Sequence, residues 1–169
     1  MEKKTIIGAL IAIIAIGGLA WWGRSVIPNE TSTPSGQQSV SALAAAETSY
    51  NFGRISMKDG LVEKTFAVTN TSSKDLLIER ISTSCMCTTA FITTADGKEK
   101  GPYGMVGHGV SSVPKANEAI KAGETRAVRV IFDPNAHGPA GVGVIERVVM
   151  LEDSMGGRFD LAISATVTP

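Results

Sequence analysis

The chain has 169 residues, enough for one domain of ordinary size and a short appendage. Its formal net charge at pH 7 is zero, which gives no electrostatic reason to expect a nucleic-acid partner. With only two cysteines, the chain is not a small scaffold held together by several disulfides.

The first segment is an apolar run that predicts a membrane helix. Two lysines precede the uncharged residues 5–22. As a helix, these residues span about 27 Å at about 1.5 Å per residue, close to the hydrocarbon thickness of a bilayer. Because flanking lysines stay on the cytoplasmic side, we expect residues 1–4 to be cytoplasmic and 5–23 to be a transmembrane signal anchor. The rest of the chain would then be extracytoplasmic.

A cleavable signal peptide is the alternative interpretation of this segment. Signal peptides have a shorter apolar region, of about 7–15 residues, that ends at a small-residue cleavage site. Here the run is longer and the bulky Trp21 and Trp22 close it. Both interpretations export the domain, and we predict a single-pass protein of the cell membrane.

Residues 24–48 are rich in Ser, Thr, Gln and Pro and lack aromatic side chains. Such a composition cannot bury enough apolar surface to order a chain, so it predicts a flexible linker. Residues 49–169 are then the folded domain.

Beyond the linker, apolar and polar residues alternate with a period of two, which is typical of half-buried β-strands. Seven strands are predicted, at residues 50–56, 62–69, 76–82, 88–93, 125–133, 144–151 and 159–167. No segment of this region has helical periodicity. The pattern predicts an all-β fold, an immunoglobulin-like antiparallel sandwich of about seven strands. Between the fourth and fifth strands, the glycine-rich residues 97–116 predict a long ordered loop that folds back over the domain.

Four motifs occur in order along this region: Tyr50-x-Phe52-Gly53-x-Ile55, Phe66-x-Val68-x-Asn70-Thr71, Ser84-Cys85-Met86-Cys87-Thr88-Thr89 and Phe132-Asp133. Over residues 49–167 the chain resembles a bacterial domain-of-unknown-function family with an immunoglobulin-like sandwich of the major-sperm-protein sort. The resemblance implies an exported β-sandwich and no established activity. The chain departs from the family pattern in its loop 97–116 and in Met86, where glycine is commoner.

The two cysteines and the two histidines are the candidate metal ligands. If the cysteine segment is extended, Cys85 and Cys87 lie about 6.6 Å apart at Cα and project to one face. His108 and His137 lie in glycine-rich segments, which we expect to meet the cysteines at one end of the sandwich. Two thiolates and two imidazoles suit zinc or copper. Met86 and Met105 are possible additional ligands, and their soft thioethers favour copper over zinc.

Two other interpretations of the cysteines remain open. They are small buried apolar residues in one, and a strained, reducible disulfide in the other. An enzyme is not expected, because no orienting acid or oxyanion hole is identifiable beside them. The two function hypotheses are therefore a membrane-anchored domain that binds a soft metal ion, and a non-catalytic module that interacts with an envelope protein.

Overall fold

The computed structural model describes residues 39–107 and 115–169, which form eleven strands. Their bounds are β1 Ser39–Val40, β2 Leu43–Ala45, β3 Ser49–Ser56, β4 Val62–Asn70, β5 Leu76–Thr83, β6 Thr88–Thr93, β7 Glu99–Tyr103, β8 Lys115–Ile120, β9 Thr125–Phe132, β10 Gly143–Asp153 and β11 Gly157–Thr168. Two short 3-10 helices, Met57–Asp59 and Gly138–Gly141, lie between strands.

The strands form two sheets. The first has the order β1-β11-β10-β5-β8, and β3 also pairs with β11; the second has the order β2-β4-β9-β6-β7. All neighbours are antiparallel except β1 and β3, which run parallel to β11. The all-β sandwich predicted from the alternation is thereby confirmed.

The core lies between the two sheets and is mainly aliphatic. Along β9, Val128, Val130 and Phe132 are buried, and along β11, Leu161 and Ile163 are buried, each alternating with a more exposed residue. Full burial of such a side chain stabilises the fold by roughly 1.5–3 kcal/mol. The inward positions of these two strands are those that the sequence pattern predicts.

The folded domain begins earlier than the sequence pattern predicts. Residues 39–48, assigned to the linker, contain β1 and β2. Leu43, which is 5% exposed, packs into the core, and β2 pairs with the end of β4. Strands of two and three residues are too short to produce a visible alternation. The predicted membrane anchor, 5–23, lies outside the described residues, and within the described part no helix has the length and apolar character needed to cross a membrane.

Part of the predicted loop at 97–116 is strand. It contains β7, which extends the second sheet beside β6, and the beginning of β8 at the edge of the first sheet. Tyr103 at the end of β7 is 3% exposed, so this part of the segment is ordered, as expected. Residues 108–114, which include His108, lie outside the described residues.

Candidate metal centre

Residues 84–87 form a turn that takes the chain from β5 in the first sheet to β6 in the second. The N–H of Thr88 donates to the carbonyl of Cys85 at 3.1 Å, and the N–H of Cys87 donates to the Cys85 sulfur at 3.5 Å. The segment is turned rather than extended, because the chain changes sheets at this point. The turn brings the two cysteine side chains onto one corner of the sandwich.

Hydrogen bonds hold this corner against both neighbouring strands. The N–H of Ser84 donates to the carbonyl of Val148 at 2.9 Å, and the N–H of Val148 donates to the Ser84 hydroxyl at 2.9 Å. On the other side, the N–H of Asp133 donates to the carbonyl of Cys87 at 2.9 Å. The turn is therefore fixed to β10 and to the residue that follows β9.

His137 reaches the same corner from the segment between β9 and β10. Asp133 starts this segment with a turn in which its carboxylate accepts the N–H of Asn135 at 2.8 Å. Gly138 follows His137 with a φ of 54°, a left-handed conformation that glycine adopts without steric cost. These turns place Nε2 of His137 3.1 Å from Sγ of Cys85.

Three of the four predicted ligands therefore lie together. One ligand atom from each of Cys85, Cys87 and His137 lies within 4.8 Å of the other two, and both cysteines are free thiols. The fourth, His108, lies outside the described residues and stays a prediction. The group contains no carboxylate, so its donors are all of the soft or intermediate type.

Both methionines named as additional ligands lie within the described residues. Met86, in the turn, is 47% exposed. Met105 follows Gly104, whose carbonyl accepts the N–H of Thr83 at 3.3 Å, so its backbone passes close to the end of β5. The proposed coordination by both thioethers stays a prediction.

Arg147 is the member of the site that the sequence does not indicate. Its Nε donates to the sulfur of Cys87 at 3.1 Å, and its Nη1 donates to the carbonyl of Glu146 at 2.7 Å. Arg147 lies on β10 between Glu146 and Val148, and a charged residue of a strand is ordinarily on the solvent side. The only available signal was that Glu146 and Arg147 are adjacent, so one of them departs from strict alternation.

The two thiols have different electrostatic environments. Burial raises the pKa of Cys85, but hydrogen bonds with Cys87 and His137 and the charge of Arg147 outweigh that effect and lower it to about 7. The pKa of Cys87 is raised, chiefly by burial and by its hydrogen bond with Cys85, while Arg147 and Thr88 oppose the increase. Near neutral pH, Cys85 is therefore the sulfur that more readily carries negative charge.

An open cleft of about 420 Å³ leads to the site from solvent. Cys85, His137 and Arg147 line it together with the apolar Val142 and Val144, the latter 86% exposed. Cys87 is 3% exposed and does not line the cleft. A small ion or a thiol reagent that enters the cleft thus meets Cys85 and His137 first.

Comparison with one solved structure supports the fold. The chain is similar to a protein of unknown function from Porphyromonas gingivalis W83, with 12% identity and a TM-score of 0.53 over 80% of this chain and 51% of that one. It also matches the ASH/PapD-like domain of human CEP192, at 12% identity and a TM-score of 0.42 over 80% and 91% of the two chains. The chain spans about half the length of the Porphyromonas protein. At this identity, the likeness concerns the fold alone.

No curated protein matches the sequence. Residues 43–101 match the model of the family DUF1573, described as a protein of unknown function. The matched segment runs from β2 into β7 and includes the cysteine turn. The resemblance to a domain-of-unknown-function family is thereby confirmed for these residues, and over them the chain is similar to DUF1573.

Proposed function

We propose that this protein is a membrane-anchored extracytoplasmic domain that binds one soft metal ion, copper(I) ahead of zinc, through Cys85, Cys87 and His137. The observation that carries the proposal is the separation of their ligand atoms, all within 4.8 Å of one another. Metal–sulfur and metal–nitrogen bonds of about 2.0–2.3 Å let one ion contact donors that are roughly 4 Å apart. Small side-chain rotations are sufficient to close the site around an ion.

The donor set supports a soft ion. Two cysteine sulfurs and an imidazole nitrogen are preferred by copper(I) and zinc, whereas calcium and magnesium need oxygen ligands. Structural zinc sites have four protein ligands, and the described residues supply three. Three donors are a complete set for copper(I), and this count supports the choice of copper ahead of zinc.

The charge balance supports the same ion. Two thiolates and copper(I) together carry one negative charge, which the Arg147 guanidinium, 3.1 Å from the Cys87 sulfur, neutralises. The same thiolates with zinc(II) are already neutral, and Arg147 then adds an uncompensated positive charge. Because the site is only partly open to water, this difference is not fully screened.

His108 and the membrane anchor complete the proposal. His108 would be a fourth ligand, and its contribution would improve zinc binding more than copper binding, because zinc requires the fourth position. The predicted anchor, residues 5–23, would hold the domain outside the cytoplasm. An impermeant thiol reagent added to intact spheroplasts should label Cys85 if the domain is extracytoplasmic, and labelling only after lysis would contradict that location.

The binding experiment uses the full chain in a non-ionic detergent, reduced and free of oxygen. Competition with a chromophoric copper(I) chelator should give about one bound ion for the native protein and none for the Cys85→Ser/Cys87→Ser double variant. His137→Ala should weaken binding. Met86→Leu tests whether the Met86 thioether is an additional ligand, and Met155→Leu, at an exposed methionine on the β10–β11 turn, is its control. Equal metal content in the native protein and the double variant would refute the proposal.

A second candidate function is protein interaction at the open edge of β4, and a specific observation favours it. Among the described residues, 39–107 and 115–169, the strand that pairs along this edge is β2, and it covers residues 68–70. The backbone N–H and carbonyl of Asn70 form hydrogen bonds with the β8–β9 turn, so they point to the β9 side of the strand. Backbone groups alternate in direction along a strand. Those of Glu63, Thr65 and Ala67 therefore point away from β9, to the open side. These three residues are exposed. An extended segment of an envelope protein could add there as a further strand.

Thr65→Pro tests this second candidate. Proline removes the Thr65 N–H, which lies on the open side, and leaves the pairing of β4 with β9 intact. If a partner adds as a strand, crosslinking in cells should recover it with the native chain and with Thr65→Ala but not with Thr65→Pro. Equal recovery with Thr65→Pro, in a variant whose circular dichroism is native, would exclude strand addition at β4.

A further inference from the structure

We propose that Cys85 and Cys87 are also a thiol–disulfide couple that exchanges with low-molecular-weight disulfides, with Cys85 as the exchanging sulfur and Cys87 as the resolving sulfur. This is a second activity of the same corner of the sandwich, beyond metal binding. It follows from the arrangement of the two sulfurs and does not require that a metal binds.

The turn at 84–87 brings together the sulfurs of two cysteines that are two residues apart in the chain. On an extended strand the Cα atoms of such a pair lie near the upper limit for a disulfide. Here the N–H of Cys87 reaches the Cys85 sulfur at 3.5 Å, which folds the Cys85 side chain back over the Cys87 backbone. The sulfurs are within 4.8 Å, so a bond of about 2.05 Å requires an approach of at most about 3 Å.

The two sulfurs differ in access, and this difference assigns their roles. Cys85 is half-buried and lines the open cleft, whereas Cys87 is buried behind it against Arg147 and Thr88. An incoming disulfide can reach the Cys85 sulfur without any movement of the fold. It cannot reach Cys87, which is nonetheless close enough to Cys85 to complete the exchange.

The reaction proceeds in two balanced steps. The Cys85 thiolate attacks one sulfur of the incoming disulfide, the bond between its sulfurs breaks, and one half leaves as a thiolate. The Cys87 thiol then loses its proton to water and attacks the Cys85 sulfur, and the second half leaves as a thiolate. Overall, the two cysteines lose two electrons and two protons, and the external disulfide gains them as two thiols. The Arg147 guanidinium stabilises the negative charge that forms on Cys87 before its attack.

The product ring is small and strained, so the reaction is reversible. Strained disulfides are the readily reduced ones, and external thiols should return the pair to its reduced form. The disulfide removes both sulfur donors at once. Oxidation would therefore release a metal ion bound at this site, and reduction would restore the site.

The test treats the full chain, reduced and in the presence of a metal chelator, with excess oxidised glutathione and follows the intact mass. The native protein should lose two hydrogens with no lasting adduct. Cys87→Ser should accumulate one glutathione adduct, because the resolving sulfur is missing. Cys85→Ser should lose reactivity, because its remaining thiol is buried. Ser154→Ala, at an exposed serine of the β10–β11 turn, is the matched control and should behave as the native chain does.

Three results would overturn the inference: a native chain that stays reduced, a native chain that stops at a stable glutathione adduct, or equal adduct formation by the two single-cysteine variants. The chelator separates this test from the metal experiment. Disulfide formation in a chain that binds no copper would leave the couple standing and remove the proposed function. Copper binding by a chain that forms no disulfide would leave the proposed function standing and remove the couple.

Discussion

The sulfur of Cys85 lies 3.1 Å from Nε2 of His137, a residue that follows it by 52 positions in the chain. Cys85 belongs to the turn between the two sheets, and His137 belongs to the segment between β9 and β10. Backbone hydrogen bonds hold the cysteine turn to Val148 and to Asp133 on either side of that segment. The contact is therefore a consequence of the sandwich topology.

The first prediction concerns the pH dependence of Cys85 reactivity. The thiolate is the reactive form, and the pKa of Cys85 is lowered to about 7. Alkylation of Cys85 by iodoacetamide should therefore increase as the pH rises and reach half its maximum near pH 7. Cys87, whose pKa is raised, should react only at higher pH and more slowly. Peptide mass spectrometry after timed alkylation measures both sites in the native chain. A half-maximum for Cys85 near the ordinary thiol value would contradict the prediction.

The second prediction concerns Arg147, which the structure adds to the site. Arg147→Gln removes the positive charge that lowers the pKa of Cys85, so the alkylation profile should shift to higher pH. Loss of this outer partner should also weaken copper(I) binding by about tenfold or more. Arg80→Gln is the control, because Arg80 has a half-exposed side chain that pairs with Glu152 at 3.5 Å. Identical pH profiles for the two variants would show that the Arg147 charge does not act on the sulfurs.

The sequence predicts those strands in which one side is consistently apolar. The predicted bounds of β6, 88–93, coincide with the observed strand, and β9 and β11 alternate as expected. Strand β8 is not predicted from the sequence, because its inward side includes Glu118. This glutamate is buried beside the equally buried Arg126, at 3.7 Å. An inward charge looks like a solvent-facing residue in a sequence pattern. The partner that makes its burial tolerable comes from another sheet.

The ligands of the site are predictable from the sequence, but the turn and Arg147 are not. Cys85, Cys87 and His137 stand out because their side chains carry rare metal-binding chemistry in a chain with few such groups. The turn that brings the sulfurs together is set by the change of sheet, which depends on strand order. Arg147 reaches Cys87 only because β10 lies beside β5. Both features depend on contacts between distant segments, and local periodicity does not contain that information.

The third prediction concerns Asn70, a buried amide that joins the two sheets. Its Nδ2 donates to the carbonyls of Lys74 at 2.8 Å and Ile120 at 2.9 Å. In Asn70→Asp, a carboxylate oxygen faces these carbonyls without a proton to donate, which should cost about 3 kcal/mol or more. Burial favours the protonated acid in the folded state, so the loss of stability should grow as the pH rises from about 4 to about 7.

Urea unfolding of Asn70→Asp at the two pH values measures this loss. The matched control is Asn51→Asp, at an exposed asparagine whose Oδ1 accepts the N–H of Gly53 at 2.8 Å. A carboxylate keeps that acceptor, so the control should be within about 0.5 kcal/mol of the native chain. An equal loss in both variants, or none that depends on pH, would mean that Asn70 does not hold the sheets as described.

The fourth prediction tests whether residues 39–41 belong to the folded domain. A Cβ on Gly157 would clash with the Asp153 carboxylate and would lie 2.8 Å from Cα of Ser41. Asp153 itself accepts the N–H groups of Met155 and Gly157, so it cannot move without giving up these bonds. Gly157→Ala should therefore destabilise the chain by about 1–3 kcal/mol, while Gly104→Ala, whose added Cβ meets no atom within 4 Å, should be nearly neutral.

A shortened chain that begins at residue 49 separates the contribution of Ser41 from that of Asp153. It lacks β1, β2 and Ser41, so it should be less stable than a chain that begins at residue 38. In the shortened chain the cost of Gly157→Ala should be smaller, because only the Asp153 clash remains. Thermal unfolding of the four chains gives the coupling between the two changes. If the two costs simply add, Ser41 does not pack on Gly157, and the first strands lie elsewhere.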